Sequence, residues 1–283
     1  MDDAFGNPLA ILVSQFLDQL PILHEHRATI TGGEAVLVVG DVMLDRFVYG
    51  ETNRTSPESS APVLDIKRES IMPGGAANVV VNLRALGAQA HLLGIIGEDD
   101  AAGAALSKAL QAQGIDTDGL IRVPDRPTTE KTRFVAAGGQ LLRADREIRT
   151  PPGEQASRAL LDKAAALIGA VQALVLSDYN KGVLSAPVIA ALVALARAAN
   201  VPVLVDPKQT NYSLYKDATV ITPNRKELAE VTGMKTATDA EIAAAARQIM
   251  QEHDLHNLVV TRSEDGMSVF MAGAPPLHVR PDA

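Results

Sequence analysis

The chain has 283 residues, of which 47% are hydrophobic and only 3% aromatic, and its formal net charge is −8. This length and apolar content predict one large α/β domain whose core is filled by aliphatic side chains. The negative charge argues against nucleic acid or an anionic membrane surface as the partner. The absence of cysteine excludes disulfides, thiolate metal ligands and a cysteine nucleophile.

Residues 1–33 are interpreted as an N-terminal extension that contains one short amphipathic stretch at 9–20. The first residues, Met1-Asp2-Asp3, are acidic where a secretory signal would be basic. No apolar run approaches the roughly 20 residues that a membrane-spanning helix needs. We therefore expect a soluble, cytoplasmic protein in which residues 34–283 form the main domain.

From residue 35 onward, apolar strands alternate with helices. Strands are predicted at 35–39, 91–96, 173–177, 203–206, 219–222, 258–261 and 267–271. Helices are predicted at 76–86, 99–113, 154–169, 186–199, 225–232 and about 238–252. The last helix opens on a capping box formed by Thr238 and Glu241. This alternation predicts a three-layer α/β/α fold with a mostly parallel central sheet.

Two segments do not follow this alternation of strands and helices. Residues 42–70 read as short, exposed strands, and residues 127–150 contain a β-hairpin with glycines at its turn. We expect these two segments to pair as a small β-lid outside the main sheet. Because such a sheet exposes unpaired strand edges, we also expect a homodimer in which the lids of two protomers pair.

Polar residues follow the first predicted strands, and parallel sheets bind ligands beyond the carboxyl ends of their strands. The carboxylates of Asp41 and Asp45 suit sugar hydroxyls. Gly74 and Gly75 open a helix and would let the backbone approach a ligand closely. Asn78, in the first turn of that helix, can both donate and accept hydrogen bonds. Asp, Gly and Asn are, however, also common in ordinary turns and helix starts.

An acid and a lysine follow each of two later strands. They are Asp178 with Lys181, and Asp206 with Lys208. Lysine at such a place suits a phosphate group, because its point charge has a long reach. The alternative is a solvated surface charge.

Two more polar segments lie near the end of the chain. Asn224 and Glu227 face one side of a helix start, which suits the water shell of Mg²⁺, although the helix dipole favours Glu there in any case. Thr261, Ser263 and Gly266 form a polar turn that could cradle a nucleotide phosphate or simply close a hairpin. The sequence contains neither a Walker A nor a G-x-G-x-x-G motif.

Together these segments resemble the ribokinase-like (PfkB) carbohydrate kinases over about residues 34–280. The matching motifs, in family order and spacing, are Gly40-Asp41, Gly74-Gly75 with Asn78, Asp206-Pro207-Lys208, Thr222-Pro223-Asn224 with Glu227, and Thr261 with Gly266. Within the family, residues 40–45, 53–58 and 177–182 are similar to the kinases of D-glycero-β-D-manno-heptose 7-phosphate. That resemblance implies transfer of the ATP γ-phosphoryl group to O1, giving a 1,7-bisphosphate for ADP-heptose and lipopolysaccharide synthesis.

The resemblance also implies a role for each candidate residue. Sugar hydroxyls would contact Asp41, Asp45, Gly74, Gly75 and Asn78. The 7-phosphate would contact cations among Arg54, Lys131, Arg133 and Arg143. Lys181 and Lys208 would lie nearer the phosphates, and Asp178 would bind the substrate. Asn224 and Glu227 would lie near Mg²⁺, with Glu227 acting through water, and Thr261, Ser263 and Gly266 would contact ATP.

One family motif is missing. The family pattern places a Gly-Ala-Gly-Asp motif, whose Asp is the general base, shortly beyond Ala283, and Asp282 lacks the glycines of that motif. We therefore assign no catalytic residue within 1–283 and expect the chain to be part of a longer protein. Two other functions stay open: a kinase of the same fold for ribose, fructose, fructose 6-phosphate or a nucleoside, and a non-catalytic module that binds a sugar phosphate.

Overall fold

The computed structural model of the protein describes residues 35–280, so the extension at 1–33 and Asp282 lie outside the described residues. The strands are β1 Ala35–Gly40, β2 Val42–Thr55, β3 Pro62–Gly75, β4 Gln89–Gly97, β5 Leu120–Val123, β6 Thr129–Ala136, β7 Gly139–Arg146, β8 Ala173–Ser177, β9 Val203–Asp206, β10 Val220–Ile221, β11 Asn257–Thr261, β12 Met267–Met271 and β13 Leu277–Val279. The helices are α1 Ala76–Ala85, α2 Ala101–Gln111, α3 Glu154–Leu167, α4 Ala186–Ala198, α5 Arg225–Thr232 and α6 Asp239–Glu252.

The main sheet has nine strands in the order β13-β12-β11-β10-β9-β8-β1-β4-β5. Its strands all run in one direction except β12, which pairs antiparallel with both β11 and β13. Leu37 and Val39 of β1 pack on one side with α3, α4, α5 and α6. Val36 and Val38 pack on the other side with α1 and α2. The predicted three-layer fold is confirmed, and burial on both faces explains why β1 is apolar throughout.

A second sheet of four strands, in the order β3-β2-β6-β7, stands apart from the main sheet. Strands β2 and β6 are parallel, and the two outer pairs are antiparallel. The chain passes between the two sheets at four places: at Asp41, after Gly75, at 124–128 and at 147–153. The four-stranded sheet is therefore attached to the main domain next to the carboxyl ends of β1 and β5.

Several elements differ from the sequence-based expectation. Strand β3 continues to Gly75, so the glycine pair ends a strand as well as opening helix α1, whose N-cap is Gly75. Gly74 and Gly75 pair with Met43 and Val42. The edge strands β5 and β13 were not predicted, because they are short and carry polar residues. Strand β10 is only two residues long. Among residues 35–280, none of the helices is both long and apolar enough to cross a membrane.

Candidate active site

Asp41 lies between the two sheets and is only 1% exposed. Its Oδ2 accepts hydrogen bonds from the backbone N–H groups of Tyr179 (2.9 Å) and Lys181 (3.0 Å), and its Oδ1 accepts one from Val183 (3.1 Å). Burial raises the pKa of Asp41, and these hydrogen bonds partly offset the rise. Both carboxylate oxygens thus hold the loop after β8, which we call the 178–183 loop.

Asp178 is also buried and also satisfied by the protein itself. Its Oδ1 accepts a hydrogen bond from the Asn180 backbone, and its Oδ2 accepts from the Gln209 side chain and the Tyr215 hydroxyl, each at 2.7 Å. Such a network orders the start of the 178–183 loop. A direct contact of Asp178 with substrate stays a prediction, and the geometry favours a structural role.

Asp45 is placed differently, on the face of the four-stranded sheet that carries several predicted ligands. Its Oδ1 pairs with the Arg133 guanidinium. Its Oδ2 faces Gly74, where a Cβ atom would come within 2.2 Å of that oxygen. Gly75 has φ +60°, and a Cβ there would meet the Asp41 carbonyl oxygen at 2.2 Å. The two glycines are therefore needed for β3 to pack against Asp41 and Asp45.

A cluster of cations surrounds Asp45. Lys131 is the cross-strand neighbour of Asp45 on one side and of Asp145 on the other, so the three side chains share a face. Burial lowers the pKa of Lys131, and the nearby Lys181 lowers it further. The Lys181 ammonium lies 2.6 Å from the Glu147 carboxylate. A lysine of the four-stranded sheet and a lysine of the 178–183 loop thus approach one another. We call Lys131, Lys181 and Arg143 the cationic cluster.

Arg54 does not join this cluster. It lies near the far end of β2, nine residues beyond Asp45, and a strand advances about 3.3 Å per residue. Its side chain is thus separated from Asp45 by up to roughly 30 Å along the strand. Within its own chain, the predicted contact of Arg54 with the 7-phosphate is not supported by this geometry.

A second group of charges follows β9 and opens α5. The Lys208 ammonium donates to Glu227 Oε1 at 2.9 Å, and this hydrogen bond raises the pKa of Lys208. Glu227 and Asn224 form a capping box, in which Glu227 Oε2 accepts from the Asn224 N–H and Asn224 Oδ1 accepts from the Glu227 N–H. Burial raises the pKa of Asp206 to about 7, and repulsion by Glu227 and Asp178 adds to the rise.

The raised pKa of Asp206 makes stability depend on pH. Between about pH 4 and 7 the folded state holds a proton that the unfolded chain, with an ordinary pKa of 3.8, has lost. Stability therefore falls as pH rises through that window and levels off above it. We expect Asp206→Asn to remove this fall, measured as the urea midpoint at pH 5 and pH 7.5. Asp118→Asn, an exposed acid, is the control. An unchanged pH dependence in Asp206→Asn would show that Asp206 has an ordinary pKa.

The predicted nucleotide turn lies beside this group. Thr261 pairs with Asn224 in an isolated parallel bridge, and its N–H donates to the Pro223 carbonyl at 2.9 Å. Ser263 has φ +53° and Gly266 has φ +81°, so the turn adopts the left-handed conformation twice. The Arg225 guanidinium donates to Asp265 Oδ2 (2.9 Å) and to the Arg262 carbonyl (3.2 Å). This contact, which the sequence motif did not reveal, fixes the turn to α5.

The phenol of Tyr179 connects the two groups of charges. Burial raises its pKa, and the carboxylates of Asp206, Asp45, Glu227 and Asp41 raise it further. Acids that are far apart in the sequence thus lie within electrostatic reach of one side chain. The residues predicted to bind sugar after β1 and the residues predicted to lie near Mg²⁺ at the start of α5 are therefore found along the same rim of the main sheet. Tyr179 itself had no sequence signal beyond its place in the 178–183 loop.

The model of the pfkB family carbohydrate kinases matches residues 34–281. The chain belongs to this family. It is 47% identical over 251 residues to the bifunctional protein HldE of Paramagnetospirillum magneticum, which covers 89% of the chain and 51% of the relative. It is 45% identical over 268 residues to HldE of Rhodospirillum rubrum, covering 94% of the chain and 53% of the relative. The chain thus spans about half the length of the curated relatives it matches.

Solved structures support the same fold. The chain superposes on Arabidopsis thaliana ribokinase complexed with ribose and ATP with a TM-score of 0.69 at 18% identity, covering 88% of the chain and 78% of the ribokinase. A phosphofructokinase-2 mutant from Escherichia coli also gives a TM-score of 0.69 at 18% identity, covering 88% of the chain and 79% of the enzyme. The predicted membership in the ribokinase-like family and its α/β fold are therefore confirmed.

Proposed function

We propose that this chain carries the kinase site of an enzyme that transfers the γ-phosphoryl group of ATP to O1 of D-glycero-β-D-manno-heptose 7-phosphate. The family and the HldE relatives support a sugar kinase. The observation that favours a phosphorylated acceptor is the cationic cluster beside Asp45. An acceptor that brings its own phosphate would occupy this cluster, whereas ribose would leave it without an anion.

The charges of the cluster fit a phosphate dianion. Lys131 has a lowered pKa because it is partly removed from water and faces Lys181 and Arg143. A phosphate between these cations would relieve their mutual repulsion and form charge-assisted hydrogen bonds. The Lys181 ammonium already has an anionic oxygen as its neighbour, because it forms an ion pair with Glu147. Phosphate would take the place of that carboxylate.

Asp45 is the residue that we assign to a sugar hydroxyl. Its carboxylate is partly exposed, and Arg133 holds it from one side. Asn78 lies in the first turn of α1 and is partly exposed, so its amide can reach a second hydroxyl. Asp41 acts indirectly, because its oxygens hold the 178–183 loop.

ATP and Mg²⁺ are the proposed cosubstrate and metal. Within residues 35–280, His, Cys, Asp and Glu side chains do not gather in threes at a point that could hold a metal. Mg²⁺ in kinases is commonly held by one or two carboxylates together with substrate phosphates and water. Asp206 and Glu227 fit that role, because the repulsion that raises the Asp206 pKa would be relieved by a cation. When bound, Mg²⁺ neutralises charge on the phosphates.

The remaining residues orient the two substrates. Lys208 would neutralise a phosphate oxygen, and the turn that contains Thr261, Ser263 and Gly266 would contact ATP. Such positioning is the main contribution of a protein to phosphoryl transfer. No general base is assigned among residues 1–283.

We further propose that residues 34–283 form one kinase domain after an extension at 1–33, and that the four-stranded sheet acts as its lid. That sheet exposes large apolar side chains, including Ile66, Met72 and Leu142 at 52%, 44% and 58%. Pairing of two lids would cover such side chains in a homodimer. The enzyme would act in the cytoplasm, where its product would enter ADP-heptose and lipopolysaccharide synthesis.

The proposal is tested by binding and by turnover. Calorimetry of the purified chain should show binding of heptose 7-phosphate in preference to heptose, ribose and fructose 6-phosphate. An ADP-release assay on the protein as its gene encodes it should show turnover with heptose 7-phosphate. Preferred binding of fructose 6-phosphate or ribose would replace the heptose assignment. Binding of heptose 7-phosphate with no turnover by the encoded protein would instead indicate a binding module.

The cationic cluster gives a sharper version of this test. Lys131→Met should weaken binding of heptose 7-phosphate roughly 10- to 150-fold, because a charged hydrogen bond contributes about 1.5–3 kcal/mol. Binding of unphosphorylated heptose should change little. Lys67→Met, which removes an exposed lysine of the same sheet that pairs with Asp65, is the matched control. Equal losses for both sugars would remove the cluster from the phosphate site.

A further inference from the structure

We infer that Arg126 is a positioning residue for the sugar-phosphate site. It holds the loop that carries Lys181 against the chain segments that enter and leave the β6–β7 hairpin. In this way it fixes Lys181 relative to Lys131, which lies on that hairpin. The inference rests on the proposed function, since it concerns the same cationic cluster.

The contacts of Arg126 connect three segments of the chain. Arg126 itself lies in the turn that leads into β6. Its Nη1 donates to the Thr150 carbonyl at 2.8 Å, and its Nη2 donates to the carbonyls of Ile148 (3.1 Å) and Lys181 (2.6 Å). One guanidinium therefore ties the entry of the hairpin, the exit of the hairpin and the 178–183 loop together.

The loop is held from its other side as well. The backbone N–H of Lys181 donates to Asp41 while its carbonyl accepts from Arg126, so both polar groups of this peptide segment are fixed by side chains. Gly182 has φ +96°, and a Cβ atom there would lie 2.4 Å from the Thr150 carbonyl oxygen. The loop is thus in direct backbone contact with the hairpin exit.

This arrangement determines where the two lysines of the cluster lie. Lys131 follows Arg126 by five residues and stands on β6, whereas Lys181 belongs to the main domain. A phosphate that contacts both needs their spacing to be fixed before it binds. The planar fork of arginine can donate to several carbonyls at once, which a lysine ammonium on its flexible stem cannot reproduce.

Arg126 acts through Lys181 and not on the substrate, because its terminal nitrogens already donate to backbone carbonyls. This role of Arg126 has no signal in the sequence. The segment Pro124-Asp125-Arg126-Pro127 has the composition of an ordinary turn, and no motif includes it.

The test compares two sugars in one variant. Arg126→Lys keeps the positive charge but removes the planar guanidinium that donates to several carbonyls. Calorimetry should therefore show about tenfold weaker binding of heptose 7-phosphate, which corresponds to the loss of one well-placed charged contact. Binding of unphosphorylated heptose should stay within about twofold, since the hydroxyl contacts assigned to Asp45 and Asn78 do not involve Lys181. Arg158→Lys, an exposed arginine of α3, is the matched control. Arg126→Gln, which keeps one amide donor, should show the same selective loss.

Each result bears on the inference in a definite way. Selective loss for the phosphorylated sugar supports it. Equal losses for both sugars, or a protein that fails to fold in both variants, would overturn it, because Arg126 would then serve stability alone. Unchanged binding in Arg126→Lys would overturn it too. A parent chain that does not prefer heptose 7-phosphate would instead contradict the proposed function, a failure visible without any variant.

Discussion

Asp41→Ala is expected to lower the free energy of unfolding by roughly 3–5 kcal/mol. The substitution leaves the N–H groups of Tyr179, Lys181 and Val183 without their acceptor, and each unsatisfied buried donor costs about 1–3 kcal/mol. The expected loss lies in the lower part of the simple total of about 3–9 kcal/mol, because water can enter beside the loop. The measurement is the urea midpoint and slope at pH 7, analysed as a two-state transition.

The control is Asp65→Ala, which removes an exposed acid of β3 that forms a surface ion pair with Lys67. Such pairs contribute about 0–1 kcal/mol. A loss of that size in Asp41→Ala would show that the 178–183 loop does not depend on this carboxylate. The direct sugar contact predicted for Asp41 would then regain support.

The sequence was sufficient to predict the elements whose signal is local. Strands β8 and β9 occur as predicted because each is a continuous apolar run bounded by polar residues. Helix α6 begins at the predicted capping box of Thr238 and Glu241, since that motif needs only four consecutive residues. Helix α1 stops before Gly87, which has φ +90°, as expected of a glycine after a helix end.

The roles of the acids were harder to predict, because their partners are distant in the sequence. The donors to the Asp41 carboxylate lie 138, 140 and 142 positions away. A strand-end Asp looks the same in sequence whether it faces a sugar or the backbone of another loop. The role of Arg126 is equally hard to predict, because this side chain donates to the Lys181 carbonyl 55 positions away. Only the tertiary structure distinguishes a residue that binds from one that positions.

Arg54 shows how far a resemblance and the strand geometry can point in different directions. Its place in a segment that resembles heptose 7-phosphate kinases suggested a phosphate contact, yet the length of β2 carries it away from Asp45. Family likeness identifies a segment, and the strand geometry then decides which of its residues can meet at one site. By that criterion Lys131, which lies near Lys181, is better placed for the phosphate within one chain than Arg54 is.

Gly74→Ala should weaken binding of heptose 7-phosphate roughly 10- to 150-fold, the range expected when a charged hydrogen bond is lost. A Cβ at this position would come within 2.2 Å of Asp45 Oδ2 and 2.8 Å of Met43 Cγ, so the carboxylate must move. Unlike Arg126→Lys, this variant should weaken phosphorylated and unphosphorylated heptose equally, because Asp45 is assigned to a hydroxyl. Calorimetry with both sugars measures the difference.

The matched control is Gly138→Ala, in the turn between β6 and β7, where an added Cβ would have no atom within 4 Å. It should bind both sugars as the parent does. If Gly74→Ala binds both sugars normally while its urea midpoint is unchanged, Asp45 does not contact the sugar. If only the phosphorylated sugar is affected, Asp45 acts instead by orienting Arg133 toward the phosphate, since these two side chains are paired. Equal loss for both sugars is the result that places a sugar hydroxyl at Asp45.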